Sequence, residues 1–491
     1  MRQKQPVLGP VILLACVVLF FSFPVVADSQ EKAAGVDRPN VVLILLDNVG
    51  QEWFGCYGSE EQCTPNIDRL AREGVRAQNC YTPPVCGPSR TVLLTGRYPH
   101  TTGFRLHHDA ALYGGGGLSS TREMIFPRLF QDAGYATAIA GKWQINNLYD
   151  EPNALTQHGF QQQFAWPGSI DRDRINAAQS ELFQDMIRRE AHEELAQFNR
   201  FIENRYWDPV FIRNGRRETI QSRFGPDEIQ RFAVQFLREH RQEPFLLYVP
   251  MVLTHGSSFL FPVVHTPDNL GAEKSNVQLF ADMLRYADKL IGQLVAELEQ
   301  LKLRDNTIIV VASDNGTEHT MQARRNGRLV RGELYELTEA GGNVAFLVNS
   351  PNRIPGNRVL PLVDFTDVYP TLCELAHIPL NEKYLPDGRS FAKFLLNAEE
   401  RTPHRKWILN EYHRTRVVRN QQFKLYSDGR LIAANSDPEE RHDLRSSSEP
   451  HSLAAKRELQ SVLDSLPADN SSPFLLRSLS AFKIRHDERQ K

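Results

Sequence analysis

The stretch NVVLILLD, residues 40–47, contains an unbroken run of apolar side chains at 41–46 and ends on an aspartate. Two later stretches share this pattern, FLLYVPMVLTH at 245–255 and TIIVVASD at 307–314. Continuous apolar runs are typical of parallel strands that are covered on both faces. Because the carboxyl ends of parallel strands meet at one edge of a sheet, the sequence predicts that the polar residues ending the three runs lie together there.

Helical patterns separate these runs, at 65–73, 123–133, 227–239 and 277–302. Strands that alternate with helices predict an α/β domain in which helices sandwich a large mixed, mostly parallel sheet. A chain of 491 residues is too long for one ordinary domain. A small C-terminal domain is predicted by three short antiparallel strand patterns and a final helix, at 406–411, 416–419, 423–426 and 452–466.

The composition is that of a globular protein, with 41% hydrophobic and 24% charged residues. The formal net charge of -2 provides no general attraction to nucleic acid or to an anionic membrane. Nucleic acid is therefore not expected as a partner, and a local pocket must provide the selectivity for a ligand.

The N-terminus has the pattern of a secretory signal peptide. Two basic residues precede an apolar run at 7–26, and a small residue, Ala27, stands at the expected cleavage position. We expect a signal peptide at 1–27, a linker at 28–37, and an exported protein, periplasmic or secreted, with no stable membrane span after cleavage. A signal anchor is one alternative. A lipoprotein is another, because LLAC, which ends at Cys16, weakly resembles a lipobox.

The stretch CGPSRTVLLTGR, residues 86–97, gives the strongest indication of chemistry. A proline followed by apolar residues at helical spacing predicts a helix from Pro88 to about Gly96, with Cys86 at its N-terminus. Free N–H groups and the helix dipole favour an anion at this end, and Arg90 adds a planar cation suited to sulfate or phosphate oxygens. A buried structural cysteine is the alternative interpretation.

Cys-x-Pro-Ser-Arg followed by Leu-Thr-Gly-Arg resembles the sulfatase family of the alkaline phosphatase-like superfamily. The chain is similar to exported bacterial proteins of the arylsulfatase type over about residues 38–465, apart from roughly 161–242. The resemblance implies an alkaline phosphatase-like fold and the oxidation of Cys86 to formylglycine by a formylglycine-generating maturation enzyme. A hydrated aldehyde offers hydroxyl oxygens to a hard cation such as calcium, whereas a thiolate suits softer metals.

The resemblance also implies one calcium ion at the strand ends. Asp47, Asn48, Asp314 and Asn315 would supply oxygen donors, and the hydroxyl derived from Cys86 would be a further ligand. The family more often has an aspartate where this chain has Asn48. The predicted site therefore carries one negative charge fewer while it keeps a carbonyl ligand.

Further matches to the family imply how the substrate is held. In GKWQ, residues 141–144, Lys142 corresponds to a lysine that contacts the sulfate, and Gln144 stands where the family has a histidine. His255 resembles the histidine that protonates the leaving alcohol oxygen. Arg331 lies near the place of a further lysine that this stretch of the chain lacks, and it is the candidate to reach the sulfate instead.

Together these patterns predict a calcium-dependent sulfuric ester hydrolase that releases inorganic sulfate from a sulfated small molecule or polysaccharide, with a glycan expected for an exported protein. One alternative is a phosphonate or phosphate ester hydrolase on the same scaffold. Another is a catalytically impaired homologue that binds sulfated glycans. The predicted catalytic domain spans 38–390 with a helical insertion or lid at 161–242, and the small α+β domain spans 391–485.

Overall fold

The computed structural model describes residues 38–105, 117–168, 203–256 and 262–467. The strands of the described chain are β1 (Asn40–Leu46), β2 (Val75–Tyr81), β3 (Ala136–Lys142), β4 (Gln162–Trp166), β5 (Val210–Arg213), β6 (Arg216–Thr219), β7 (Phe245–Pro250), β8 (Thr307–Ser313), β9 (Gln322–Arg325), β10 (Arg328–Arg331), β11 (Phe346–Asn349), β12 (Arg358–Asp364), β13 (Ile408–Tyr412), β14 (Thr415–Arg419), β15 (Lys424–Tyr426) and β16 (Leu431–Ile432).

The α-helices of the same ranges are α1 (Pro65–Arg72), α2 (Cys86–Thr95), α3 (Pro99–Thr102), α4 (Phe126–Asp132), α5 (Ala154–Gln157), α6 (Gly225–Glu239), α7 (Asn276–Gln300), α8 (Glu339–Gly342), α9 (Val368–Leu375), α10 (Ala392–Leu396) and α11 (Pro450–Ser465). Ten strands form one sheet in the order β12-β2-β11-β8-β1-β7-β3-β4-β5-β6. A hairpin of β9 and β10 and a four-stranded sheet of β13 to β16 complete the described strands.

Five parallel strands, β8-β1-β7-β3-β4, form the middle of the large sheet. Successive residues of β1 alternate between two cores, so that Leu43 packs into one and Ile44 into the other. Helices α1, α6 and α7 contribute to the Ile44 core, and α2, α4, α9 and α10 contribute to the Leu43 core. Burial on both faces explains the continuous apolar runs in the sequence, and the predicted fold class is confirmed.

The strands predicted at 40–47 and 307–314 are present, and each ends one residue before its aspartate. Asp47 and Asp314 therefore lie immediately beyond the carboxyl ends of β1 and β8. Backbone bonds join the two ends, because Asp314 N donates to Leu46 O at 2.9 Å. The common edge inferred from the sequence exists.

The strand predicted at 245–255 is shorter in the structure, because β7 ends at Pro250. Proline has no N–H to contribute to the ladder, which favours the end of a strand. The chain then crosses the same edge of the sheet, where Thr254 N donates to Asp47 O at 2.9 Å. His255 reaches the edge from this crossing segment and not from a strand end.

Several helix boundaries differ from the prediction, and the starts of α2 and α4 differ by two or three residues. Helix α2 begins at Cys86, two residues before the predicted start, and ends before Gly96, whose positive φ of 66° suits glycine. Helix α4 begins at Phe126 instead of residue 123, because Pro127 occupies the first turn, where a proline is tolerated. The earlier start of α2 places Cys86 within the helix and keeps it at the N-terminal end.

The region 161–242 was predicted to be helical, and its described parts require a correction. Strands β4, β5 and β6 extend the large sheet there, and α6 is the one α-helix in the described residues of this region. Aromatic packing stabilises the strands, since the rings of Phe164 and Phe211 stack with centroids 4.3 Å apart. Residues 169–202 lie outside the described chain, so the insertion or lid stays a prediction.

The predicted small antiparallel sheet and its helix are present, as β13 to β15 and α11, and the two-residue β16 adds a fourth strand. Leu459 of α11 packs against Val418 of β14. Phe391 and α10 pack into the Leu43 core of the large sheet. The domain boundaries of 38–390 and 391–485 stay a prediction.

The described cysteines, at positions 56, 63, 80, 86 and 373, are all free thiols. In the parts of the chain that the structure describes, no helix is both long enough and apolar enough to cross a membrane. The predicted signal peptide at 1–27, the linker at 28–37 and the lipobox cysteine Cys16 lie outside the described residues.

Candidate active site

Cys86 lies in the first turn of α2, at the edge where β1 and β8 end. Its side chain is buried, with Sγ 3.1 Å from Asn48 Oδ1 and 3.5 Å from Asp47 Oδ1. Burial and the charges of Asp314 and Asp47 raise the pKa of the Cys86 thiol, against the opposing effect of Lys142. The unmodified thiol is therefore neutral, and a neutral thiol is a weak nucleophile and a weak metal ligand.

Arg90 lies one helical turn after Cys86 and is completely buried. Its Nη2 and Nε donate to Asp314 Oδ2 at 2.7 and 3.1 Å, its Nη1 donates to the Lys142 carbonyl at 2.6 Å, and Nη2 also lies 3.4 Å from Asp47 Oδ1. These contacts lock the guanidinium between the ends of β1, β3 and β8. Arg90 therefore holds the two aspartates in place and keeps a positive charge beside Cys86.

Lys142 is the last residue of β3, and its ammonium group donates to both carboxylate oxygens of Asp47 at 2.8 Å. The preceding Gly141 has φ of 134°, and a Cβ there would lie 1.9 Å from the carbonyl oxygen of Pro250. Only glycine allows β3 to approach β7 so closely. This close approach directs Lys142 over the strand ends toward Asp47.

Asp47 is the electrostatic centre of the site. Burial alone would raise its pKa, but the charges of Lys142, His255, Arg90 and Arg205 outweigh burial and hold the pKa well below the usual range. The carboxylate therefore stays ionised in a site without exposure to solvent. Since each ion pair is buried, removal of one partner would leave an uncompensated charge.

The predicted metal ligands are brought together. Asn48 N donates to Asp314 Oδ1 at 3.0 Å, and Asn315 Nδ2 donates to Asn48 Oδ1 at 2.7 Å. Asn315 Oδ1 is buried and has no hydrogen-bond partner within the described parts of the chain. Asn48 has φ of 56°, a left-handed conformation that asparagine tolerates better than most residues. Two carboxylates and two amide groups are the oxygen-rich donors that calcium prefers, so the residues fit this ion.

His255 lies at the site, and Gln144 follows the site residue Lys142 by two positions. A ring nitrogen of His255 lies within 4.8 Å of the donor atoms of Asp47 and Cys86. The His255 backbone is held by Tyr206, whose hydroxyl donates to its carbonyl at 2.6 Å. Gln144 is half-buried, two residues after Lys142, with a left-handed φ of 54°. The structure therefore groups His255 with the predicted catalytic residues.

Arg331 lies at the end of β10, in the small hairpin, and its side chain is exposed. Its Nε donates to the carbonyl of His319 at 2.5 Å. Arg331 therefore lies on the surface, whereas Lys142 and Arg90 are buried. Its predicted role in sulfate binding stays a prediction.

Arg205 is a buried site residue that the sequence patterns did not reveal. It lies before β5, and its Nη1 is 3.5 Å from Asp47 Oδ2. Its guanidinium stacks over the ring of Trp166, 4.3 Å from the ring centroid. No motif spacing marks Arg205, because the residues around it follow neither strand nor helix periodicity. An arginine followed directly by two aromatic residues, RYW at 205–207, is the one weak signal that the sequence contains.

His158 packs against Trp143, the residue that follows β3. The two ring centroids are 5.7 Å apart, and His158 Nε2 lies 3.0 Å from the Leu118 carbonyl oxygen. Burial lowers its pKa to about 4 from 6.5, so the folded protein keeps it neutral. As the pH falls from 6.5 to 4, the unfolded chain binds a proton that the folded chain does not. The free energy of unfolding should therefore fall by about 3 kcal/mol across this range.

Urea unfolding at several pH values measures this slope. His158→Gln should flatten the pH dependence between 6.5 and 4, whereas His451→Gln, at an exposed position on α11, should keep the wild-type slope. An identical slope in wild type and His158→Gln would contradict the assignment of the acid sensitivity to His158.

Comparison with known proteins agrees with the fold. A family model for sulfatases matches residues 39–378. The chain is 28% identical over 414 residues to N-acetylgalactosamine-6-O-sulfatase of Bacteroides thetaiotaomicron. This match covers 75% of this chain and 79% of that protein. It is also 28% identical over 450 residues to human arylsulfatase D, with 80% and 73% of the two chains covered.

Solved structures share the fold at lower sequence identity. The crystal structure of Ps i-CgsB in complex with k-i-k-neocarrahexaose superposes with a TM-score of 0.71 at 22% identity, over 92% of this chain and 99% of that chain. A structure in complex with its substrate D-glucosamine-2-N,6-O-disulfate superposes with a TM-score of 0.62 at 19% identity, over 92% and 100% of the two chains.

The large, mostly parallel sheet thus carries a buried cysteine at a helix N-terminus beside carboxylates and cations, and the sulfatase family model spans this region of the chain. The chain belongs to the sulfatase family. It is accordingly a sulfuric ester hydrolase.

Proposed function

We propose that this sulfuric ester hydrolase removes sulfate from a glycan, with a formylglycine derived from Cys86 and one calcium ion at the end of the sheet. The observation that carries the proposal is the position of Cys86, which is buried at the N-terminus of α2 and 3.1 Å from Asn48 Oδ1. Its raised pKa makes the thiol itself a poor nucleophile, which supports the need for a modified side chain.

The residues of this chain are suited to hold both the formylglycine and the calcium ion. Asp47, Asn48, Asp314 and Asn315 would hold the calcium ion, together with the modified side chain at position 86. Formylglycine supplies a hydroxyl nucleophile in its hydrated form, and calcium supplies positive charge for the sulfate oxygens. The buried Asn315 Oδ1 is an oxygen donor for which the described residues offer no hydrogen bond, as expected of a metal ligand.

The remaining residues bind the anion and move a proton. Lys142 and the N–H groups at the start of α2 present positive charge to the sulfate oxygens, and Arg90 keeps Asp314 and Asp47 in position. His255 lies close enough to Cys86 and Asp47 to donate a proton to the leaving alcohol oxygen. Gln144 is an amide and therefore orients a polar group without accepting its proton near neutral pH.

Relatives support a glycan as the substrate class. One relative is named N-acetylgalactosamine-6-O-sulfatase, and two structures that share the fold are complexes with k-i-k-neocarrahexaose and with D-glucosamine-2-N,6-O-disulfate. The apolar N-terminal run at 7–26 supports export to the periplasm or the medium, where such glycans occur, with attachment through Cys16 as the alternative. A formylglycine-generating enzyme would be the partner during maturation.

Sulfate release from a panel of sulfated oligosaccharides tests the proposed function, with the protein produced together with a formylglycine-generating enzyme. We expect release of inorganic sulfate that stops after calcium chelation and returns when calcium is added. The matched panel consists of phosphate and phosphonate esters on the same sugars. Turnover of phosphate esters alone would contradict the proposal, and binding of sulfated glycans without release would indicate an impaired, binding homologue.

A further inference from the structure

Arg205 adds a third cation to the carboxylate of Asp47, which Lys142 and Arg90 already contact. It comes from the segment between β4 and β5, whereas the other two come from β3 and α2. Its side chain is 2% exposed, and its Nη1 lies 3.5 Å from Asp47 Oδ2. The site therefore receives a buried positive charge from an element that carries none of the predicted residues.

Several contacts fix the position of Arg205. Its guanidinium stacks on Trp166, and Trp166 Nε1 donates to the carbonyl of Glu203 at 2.9 Å. Gly225 packs against the Arg205 backbone, where a Cβ would lie 2.0 Å from the Arg205 carbonyl oxygen. The next residue, Tyr206, donates through its hydroxyl to the carbonyl of His255 at 2.6 Å. Arg205 is thus pre-organised beside the proposed proton donor, as a planar group whose orientation is set before a ligand arrives.

The charges around Cys86 favour an anion. Within the described ranges, ion pairs join the carboxylates of Asp47 and Asp314 to three cations, Arg90, Lys142 and Arg205. A calcium ion at the same carboxylates would add further positive charge. Cations gathered beside a buried helix N-terminus attract an anion, and a sulfate ester brings negative charge to this place.

We propose that Arg205 binds the sulfate group of the substrate and of the inorganic sulfate product. The inference rests on the proposed function, since it assigns an additional anion-binding residue to the same site. A planar guanidinium can donate two parallel hydrogen bonds to sulfate oxygens, and Arg205 reaches Asp47 from the segment before β5, whereas Cys86 and Arg90 belong to α2. Arg205 and Lys142 would then form a pair of buried cations around the sulfate. Arg331, in contrast, is exposed and contacts the carbonyl of His319.

Binding of inorganic sulfate, measured by isothermal titration calorimetry on the full chain in a phosphate-free buffer, tests the inference. Arg205→Gln should weaken sulfate binding at least tenfold, because a hydrogen bond to a charged group is lost. Arg205→Lys keeps the charge but loses the planar geometry and should weaken it about threefold or more. The matched control is Arg223→Gln, at a half-exposed arginine of the same region, which should bind sulfate as the wild type does.

The same variants are assayed on a sulfated oligosaccharide, where KM should rise in parallel with the dissociation constant of sulfate. If Arg205→Gln does not fold, the charge-conserving Arg205→Lys decides the question. Unchanged sulfate affinity in the folded Arg205 variants, or no sulfate binding by the wild type, would overturn the inference. Sulfate binding that depends on Arg205 in a wild-type protein without sulfatase turnover would instead contradict the proposed function and leave the inference standing.

Discussion

Replacing Cys86 with alanine is expected to lower the rate of sulfate release by about a thousandfold or more. Alanine has no atom from which the proposed formylglycine can form, while the buried charges around position 86 stay in place. The rate of sulfate release at saturating substrate measures the effect. Folding should be little changed, because the side chain that is removed is small.

The matched control is Cys56→Ser, which replaces another cysteine that is free and half-buried but lies outside the site. This variant should keep the wild-type rate. Mass spectrometry of the peptide that contains Cys86 should show a substantial fraction of formylglycine in active wild-type protein. Full activity from a sample in which every Cys86 is an unmodified thiol would contradict the proposed nucleophile.

Replacing Asp47 with asparagine is expected to lower the free energy of unfolding by about 3 to 5 kcal/mol. The substitution keeps the shape but removes the negative charge that Lys142 contacts through both oxygens at 2.8 Å. Arg90 and Arg205 also lose a partner, so the folded state would retain buried cations without compensation. Urea unfolding in calcium-free buffer measures the change.

A second measurement separates the effect of Asp47 on calcium binding from its effect on the free energy of unfolding. Calcium binding by the folded variant should weaken at least tenfold, because a charged oxygen donor is replaced by a neutral one. The control is Asp268→Asn, which breaks an exposed ion pair with Lys289 and should cost less than about 1 kcal/mol. Equal destabilisation by the two substitutions, or unchanged calcium affinity in Asp47→Asn, would contradict the central role assigned to Asp47.

The α/β fold class and the common edge of two aspartates could be read from local patterns, whereas most of the other predicted site residues came from the resemblance to a family. Apolar runs at 40–47 and 307–314 predicted buried strands whose aspartates lie at a common edge, and the structure places Asp47 and Asp314 there. This succeeds because a strand that is buried on both faces must be apolar throughout, so its end is visible in the sequence as the first polar residue. Cys86 was placed at a helix N-terminus for a similar reason, since proline marks the first turn of a helix.

The predicted secondary structure was wrong where a proline ended a strand or where aromatic packing stabilised strands instead of helices. The apolar run through 245–255 reads as one strand, but Pro250 ends β7 and the remainder crosses the sheet edge. The charged region at 161–242 reads as helical, but its described parts include three strands, two of which pack Phe164 against Phe211. In the first case a proline ended the strand, and in the second case tertiary contacts outweighed local propensity, which is weak for short segments.

The amino-acid sequence by itself determined which residues end the strands, which cysteine begins a helix, and which polar groups are available as ligands. Only the tertiary structure decided which cations meet at Asp47, because Lys142 and Arg205 come from elements that are distant in sequence. It also decided that Arg331 lies on the surface. The physical reason is that strand and helix periodicity are local properties, whereas the pairing of buried charges depends on how separate elements pack together.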